Sequence, residues 1–221
     1  MVNDSATSDS ATNDSTTNDS TTSDGIQWLA DRDDWTYDIV FARGLPPEEL
    51  APRLGAAPGS APPIPSPITG LDAWSLVMTD TTDDMALIRT GTSGPWSFAL
   101  QYGLPATGAR LVEASRGGVE VIRLSPQPDH PPKRFAYAAD GVDVCSFGIG
   151  EEVWRSGDRP DFLLPELVRA GVLHQDGSYA RPDDEPYEET DRVTLALLED
   201  RFGLTLPQDV ETQKLPAAVT R

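Results

Sequence analysis

Few residues in this sequence have the types and spacing that enzyme chemistry requires. The chain has one cysteine, Cys145, and two histidines, His130 and His174. A cysteine nucleophile needs a lowered thiol pKa and a base such as histidine. His130 lies in a proline-rich stretch before the apolar run that contains Cys145, and nothing in the spacing forces the two together. We therefore interpret Cys145 as a buried, unreactive thiol.

Signatures of hydrolase, phosphate and metal sites are missing from the sequence. It contains no Gly-x-Ser-x-Gly, Ser-x-x-Lys or His-Glu-x-x-His, and neither glycine-rich nucleotide-binding motif. The glycines at 148 and 150 precede Glu151 and Glu152, whose charges disfavour phosphate. The acidic run at 183–191 lacks the spacing of a calcium-binding loop. We expect no cofactor and no metal, and the catalytic residues, if any, stay unknown.

One segment mixes aromatic and charged residues in a way that suggests binding. The sequence "EEVWRSGDRPD" at 151–161 places Trp154 beside Arg155 and close to Arg159. Tryptophan and arginine are typical anchors of protein–protein interfaces. We predict that Trp154, Arg155 and Arg159 contact a partner. The alternative is a structural loop whose arginines pair with aspartates.

The charge balance points to the class of partner. The chain of 221 residues has 36 acidic and 17 basic side chains, and its formal net charge is −19. Without the five aspartates of the N-terminal repeat, 31 acidic side chains remain against 17 basic ones. Nucleic-acid binding needs clustered cations, so we expect none. A basic protein would be attracted, although the acidity could serve solubility alone.

The sequence divides into a tail, a domain and a short end. Residues 3–24 repeat Asp, Ser and Thr with a period of five, and they contain no large apolar residue. We predict disorder for 1–25, a single α+β domain for 26–207, and a frayed, polar tail for 208–221. No secretory signal and no apolar stretch of about 18 residues is visible, so we expect a cytoplasmic protein that contacts no membrane.

The element pattern predicts an α+β fold with a mainly antiparallel sheet. Asp140-Gly141 separates two apolar runs and predicts a tight hairpin. On the second run, Val142, Val144 and Ser146 share one face at period two. The segment between this hairpin and Asp161 is predicted as a loop. Strands are predicted at 33–41, 85–90, 96–102, 119–125, 133–139 and 142–147, and helices near 46–54, 69–78, 106–116, 161–173 and 190–202.

Several segments, in order, resemble a known family. They read "FARGLPPEELAPRLGA", "PWSFALQYG", "LVEASRGGVEVIRLS", "KRFAYAADGVDVCSFG", "RSGDRPD" and "LALLEDRFGLTL". Over about residues 28–207 the chain resembles the DUF6461 family of uncharacterised actinobacterial proteins. The resemblance implies no particular reaction. Members often carry glutamate five residues after the tryptophan of the second segment, where this chain has Gln101, so any chemical role of that carboxylate would be lost here.

Two classes of function follow. The first is an acidic cytoplasmic protein-binding module, such as an immunity- or antitoxin-type inhibitor or an accessory protein of a bacterial gene cluster, with a basic protein as its partner. The alternative is an enzyme or accessory enzyme of natural-product biosynthesis. Its site would draw on Trp96, Gln101, His130, Cys145, Trp154 and Arg155. The oligomeric state is left open.

Overall fold

A computed structural model describes residues 25–56, 64, 66–80, 85–103, 108–127, 131–180 and 187–220. The predicted disordered repeat at 3–24, His130 and the first part of the acidic run lie outside the described residues. Within the described part, no helix has both the length and the apolar character to cross a bilayer.

In this part of the chain, eight strands form one antiparallel sheet in the order β7-β6-β5-β4-β1-β3-β2-β8. The predicted α+β fold with an antiparallel sheet is confirmed. The strands are β1 (Asp38–Arg43), β2 (Ala86–Ser93), β3 (Trp96–Tyr102), β4 (Glu120–Ser125), β5 (Arg134–Ala139), β6 (Val142–Gly148), β7 (Glu151–Ser156) and β8 (Ala217–Thr220). The helices are α1 (Pro47–Arg53), α2 (Gly70–Thr79), α3 (Gly108–Ala114), α4 (Leu164–Arg169) and α5 (Tyr187–Phe202), with 3-10 helices at Gln27–Asp31 and Pro160–Leu163.

Helices cover both faces of the sheet, because alternate residues of the central strands point to opposite sides. The first face carries large aromatic side chains, such as Trp96 and Phe135, under α2, α4, α5 and the 3-10 helices. The second face carries smaller side chains, such as Val40 and Ala99, under α1 and α3. Most of the apolar burial that stabilises the fold is therefore on the first face.

The hairpin between β5 and β6 forms where predicted, with a shift in its register. Asp140 and Gly141 both have positive φ, 48° and 80°, as this tight turn requires. Tyr137 lies opposite Cys145, but Ala138 lies opposite Asp143, so the extra residue Val144 forms a bulge. The prediction that Val142, Val144 and Ser146 share a face is wrong, because the bulge buries Val144 in the first-face core.

Two further predictions are wrong. Residues 151–156, expected in a loop, form the edge strand β7 beside β6. The end of the chain, expected to fray from 208, is packed: Val210 is fully buried, and β8 pairs with β2 over Ala86–Arg89. For β8 the reason is its pairing with β2, more than 120 residues earlier in the chain. β7 pairs with the neighbouring β6, but its inward residue Glu152 is a carboxylate whose donor, Thr194, lies on α5.

A fully buried arginine holds the end of the chain in place. Arg89 on β2 donates to the hydroxyl of Tyr102 at 2.6 Å and to the Ile68 carbonyl at 3.2 Å. It also donates to the carbonyls of Val210 and Gln213, at 2.9 and 2.6 Å, and it pairs with the Glu211 carboxylate at 3.3 Å. The buried charge is thus solvated by protein groups, and the segment after α5 is tied to the sheet.

Candidate functional site

The side chain of Trp154 on β7 is 76% exposed. The other tryptophans of the chain are buried or half-buried, and Trp35 and Trp96, for example, donate their indole N–H groups to the carbonyls of Tyr37 and Phe202. Among the described residues, the indole N–H of Trp154 has no acceptor. Trp154 therefore offers both a large apolar surface and a free hydrogen-bond donor to solvent.

The two arginines predicted beside Trp154 differ in their surroundings. The side chain of Arg155 is 12% exposed, pairs with Asp161 at 2.6 Å, and donates to the Glu152 carbonyl at 3.3 Å. Arg159 is exposed, and its guanidinium lies 5.1 Å from the ring centre of Phe162. Arg155 thus orders β7 against the turn that follows it, and Arg159 presents a charge on an aromatic support.

Acidic side chains and a tyrosine complete this part of the surface. Tyr179 donates its hydroxyl to the Gly150 carbonyl, at 2.5 Å, at the start of β7, and burial raises the pKa of this tyrosine to about 12. The contact holds the loop after Leu173 against the edge strand. We define the Trp154 surface as the exposed side chains of Glu151, Trp154, Asp158, Arg159, Asp161 and Tyr179.

A second candidate site is a pocket of about 280 Å³ on the second face of the sheet. Its walls come from α3, β4, β5 and β6, beyond the part of the face that α1 and α3 bury. The small side chains of Ala136 and Ala138 contribute no polar group to it. We define the second-face pocket by its lining side chains Leu111, Arg123, Ser125, Arg134, Asp143 and Ser146.

A buried acid beside this pocket holds one of its arginines. The Asp38 carboxylate on β1 accepts from Nη2 and Nε of Arg123 at 2.7 and 3.1 Å. Burial raises the pKa of Asp38 above the usual carboxyl value, although Arg123 and Ser125 act in the opposite direction. Gln101 on β3 lies opposite Asp38. Its side chain is buried, and its Oε1 meets no hydrogen-bond donor in the described structure.

Among the described residues of the predicted enzyme site, Trp96, Gln101 and Cys145 do not share one face of the sheet, and His130 lies outside the described residues. Trp96 and Cys145 pack in the first-face core, whereas Gln101 belongs to the alternate set of β3 residues on the second face. Cys145 is fully buried, its thiol lies 3.4 Å from the Pro160 carbonyl, and burial raises the pKa of the thiol to about 11. The interpretation of Cys145 as buried and unreactive agrees with this geometry, because the thiolate is disfavoured.

Sequence reasoning missed Asp38, Arg123 and Arg134. A usable signal exists for Arg123, which interrupts the apolar run of "EVIRLS" at a position where alternation directs the side chain toward the second face. Among the residues that the structure describes, no three His, Cys, Asp or Glu side chains are grouped so as to hold a metal ion.

A comparison with protein-family models identifies the family of this chain. A protein-family model with the description "Family of unknown function (DUF6461)" matches residues 19–211. This range includes β1 to β7 and all five helices, and it ends before β8. No curated protein matches the chain, and no solved structure does.

Proposed function

The chain belongs to the DUF6461 family, and from this premise we propose that it is an acidic cytoplasmic protein-binding module that holds a basic protein through the Trp154 surface. The observation that carries the proposal is the exposed Trp154 with its free indole N–H. Such a module would be an inhibitor of the immunity or antitoxin type, which covers the active surface of its partner, or an accessory protein of a bacterial gene cluster.

Burial of Trp154 supplies a large part of the binding free energy that such a contact requires. A tryptophan side chain covered by a partner contributes about 2–4 kcal/mol, from its apolar area and from a hydrogen bond to the indole. In the free protein, the exposed apolar surface of Trp154 lowers solubility and does not stabilise the fold.

The support under Trp154 is ordered before binding. Arg155 pairs with Asp161, and Tyr179 donates to the Gly150 carbonyl, so both ends of β7 are fixed. A pre-ordered surface loses little conformational entropy on association, which strengthens binding without adding contacts.

The charge of the Trp154 surface favours a cationic partner. Asp161 pairs with Arg155, which leaves the exposed carboxylates of Glu151 and Asp158 against one nearby exposed cation, Arg159. The whole chain adds a net charge of −19. Such a field raises the association rate of a basic protein, and added salt lowers it.

The test uses the full chain as bait in lysate of the source organism, at low and high salt. We expect one basic protein to bind stoichiometrically to the natural sequence and to be released by salt. The Trp154→Ala variant should no longer retain this partner. Leu71→Ala is the matched control, because Leu71 is 79% exposed on α2, away from β7.

Two results contradict the proposal. One is equal retention of the partner by Trp154→Ala and Leu71→Ala, which would place the contact elsewhere. The other is the absence of any stoichiometric basic protein at low salt. Circular dichroism of each variant confirms that the fold is kept.

A further inference from the structure

The second-face pocket contains an arginine whose hydrogen-bonding capacity is only partly used. Asp38 binds Arg123 through Nε and Nη2, which fixes the plane of the guanidinium. The Nη1 group has no acceptor among the described residues, although the side chain is only 17% exposed. Fixed, partly desolvated N–H donors at a pocket wall are suited to an anion.

A second arginine lies next to it on the neighbouring strand. Ser125 is opposite Arg134, and Arg123 is opposite Ala136, so the two arginines are diagonal neighbours on the same face. Such positions place Cβ atoms about 7 Å apart, within reach of long side chains. Arg134 is exposed and forms no ion pair with any described residue. Asp38 already compensates the charge of Arg123, so Arg134 is the cation of this pair that has no anion among the described residues.

An acid marks the other end of the pocket. Asp143 lines it from β6 and lies opposite Ala138, four residues along β5 from Arg134. The two backbone positions are about 13 Å apart along the strand. Asp143 disfavours a dianion such as phosphate and favours a ligand that carries an amine as well as an acid group.

The size and lining of the pocket define the ligand further. A volume of about 280 Å³ is at the small end of the range for metabolite sites. The hydroxyl of Ser146, opposite Ala136, lines the pocket between Arg134 and Asp143, and its Oγ lies 3.0 Å from Ser156 Oγ. Ser125 lines the arginine end, opposite Arg134. The methyl side chain of Ala136 is small and leaves the space above β5 open to a ligand.

From this geometry we propose that the second-face pocket binds a small zwitterion of the amino-acid or dipeptide type. Its carboxylate binds Arg123 Nη1 and Arg134, and its ammonium group faces Asp143. This site is on the opposite face of the sheet from the packing of Cys145 and Trp96, and it does not depend on the protein partner proposed above.

The experiment is isothermal titration of the full chain with single L-amino acids, glycylglycine, acetate and inorganic phosphate as probes. We expect at least one zwitterion to bind with a Kd of about 1 mM or lower. Arg134→Gln should weaken binding at least about tenfold, because it removes a charged hydrogen bond to the carboxylate. Asp143→Asn should weaken binding of the zwitterion and leave the affinity for acetate unchanged. The control is Arg169→Gln, which changes an exposed arginine on α4. It should change the affinity neither for the zwitterion nor for acetate.

Several results would overturn this proposal: no zwitterion binding at about 10 mM, tighter binding of phosphate than of every zwitterion, or no effect of Asp143→Asn. Where a variant fails to fold, amide chemical shifts of the unchanged chain decide the matter. On titration with the zwitterion, the amides of Ala136, Ala138 and Ser146 must shift, and unchanged amides there count against the site.

Discussion

Three arginines, Arg89, Arg155 and Arg123, differ in how many of their guanidinium N–H groups already have acceptors within the protein. That difference determines whether each can bind a ligand. Arg89 is fully buried, and its nitrogens donate to backbone carbonyls, a tyrosine and a carboxylate. Arg155 is fixed by Asp161. Arg123 is fixed by Asp38 but keeps Nη1 for another acceptor. Arg123 is therefore the one of these three with the capacity to bind a ligand.

Cys145 should be unreactive in the folded protein. With its thiol pKa raised to about 11 by burial, about one molecule in a thousand carries the thiolate at pH 8, and the fraction grows about tenfold for each pH unit up to the pKa. We expect no reaction with a disulfide reagent within minutes in buffer and complete reaction in urea. Fast labelling without denaturant would show that the segment around Pro160 opens readily.

Asp38 should make the stability depend on pH in a defined direction. Its folded pKa is raised above the unfolded value, so the folded state binds the proton more tightly, and the contribution of Asp38 to stability is lost as the pH rises through the folded pKa. Relative to the natural sequence, Asp38→Asn should therefore change the free energy of unfolding more favourably at about pH 7 than at about pH 3, below the ordinary carboxyl pKa. Urea unfolding of both chains at both pH values measures this. The opposite trend would mean that the Arg123 pair outweighs the cost of burial.

At the scale of the elements, local signals predicted the hairpin of β5 and β6 and the start of α2. Asp140-Gly141 forms the turn, and Thr69 and Asp72 form a capping box. The strand β7 was missed because its inward residue is polar: Glu152 is fully buried and accepts from Thr194 at 2.9 Å. A glutamate at an inward-facing position breaks the apolar pattern of a strand, so the segment looks like a loop in the sequence. The hydrogen-bond donor that makes its burial possible lies on α5, far away along the chain.

The candidate sites were predictable to different degrees for the same reason. The mixture of residues around Trp154 could be recognised locally, and that side chain is exposed to solvent in the structure. The second-face pocket could not be recognised, because the register of β4 against β5 brings Arg123 and Arg134 together, and the bulge at Val144 decides that Ser146 and Asp143 lie there.

The contacts of Arg89 should decide whether the end of the chain stays on the sheet. Arg89→Met would leave the Val210 and Gln213 carbonyls without their donor and the Glu211 carboxylate without its cation. We expect a loss of about 3–5 kcal/mol in the free energy of unfolding. Urea unfolding measures the loss, and hydrogen exchange should show weaker protection of β8.

The matched control is Arg169→Met on the exposed side of α4, for which we expect a change within about 0.5 kcal/mol. If Arg89→Met and Arg169→Met are equally stable, the hydrogen bonds of Arg89 do not hold the C-terminal segment.

At the scale of the whole molecule, the net charge of −19 should make the fold sensitive to ionic strength. Repulsion among carboxylates favours expanded states, and salt screens it. We expect the urea midpoint to rise between about 20 mM and about 500 mM sodium chloride. A chain lacking residues 1–24 should respond nearly as strongly, since most acids lie outside the repeat. A midpoint that falls with salt would show that the ion pairs of the domain outweigh the repulsion.

The order of strands in the sheet also bears on synthesis. β1 is the first of the described strands in chain order, and it lies between β3 and β4, which begin 53 and 77 residues after β1 ends. At the usual rate of translation, these later strands follow roughly 3–15 s afterwards. During that interval, the apolar segment "IVFA" of β1 emerges with neither edge paired. Each nascent chain therefore exposes an unpaired apolar segment during this interval, and the repeat that precedes it carries five negative charges and no positive ones.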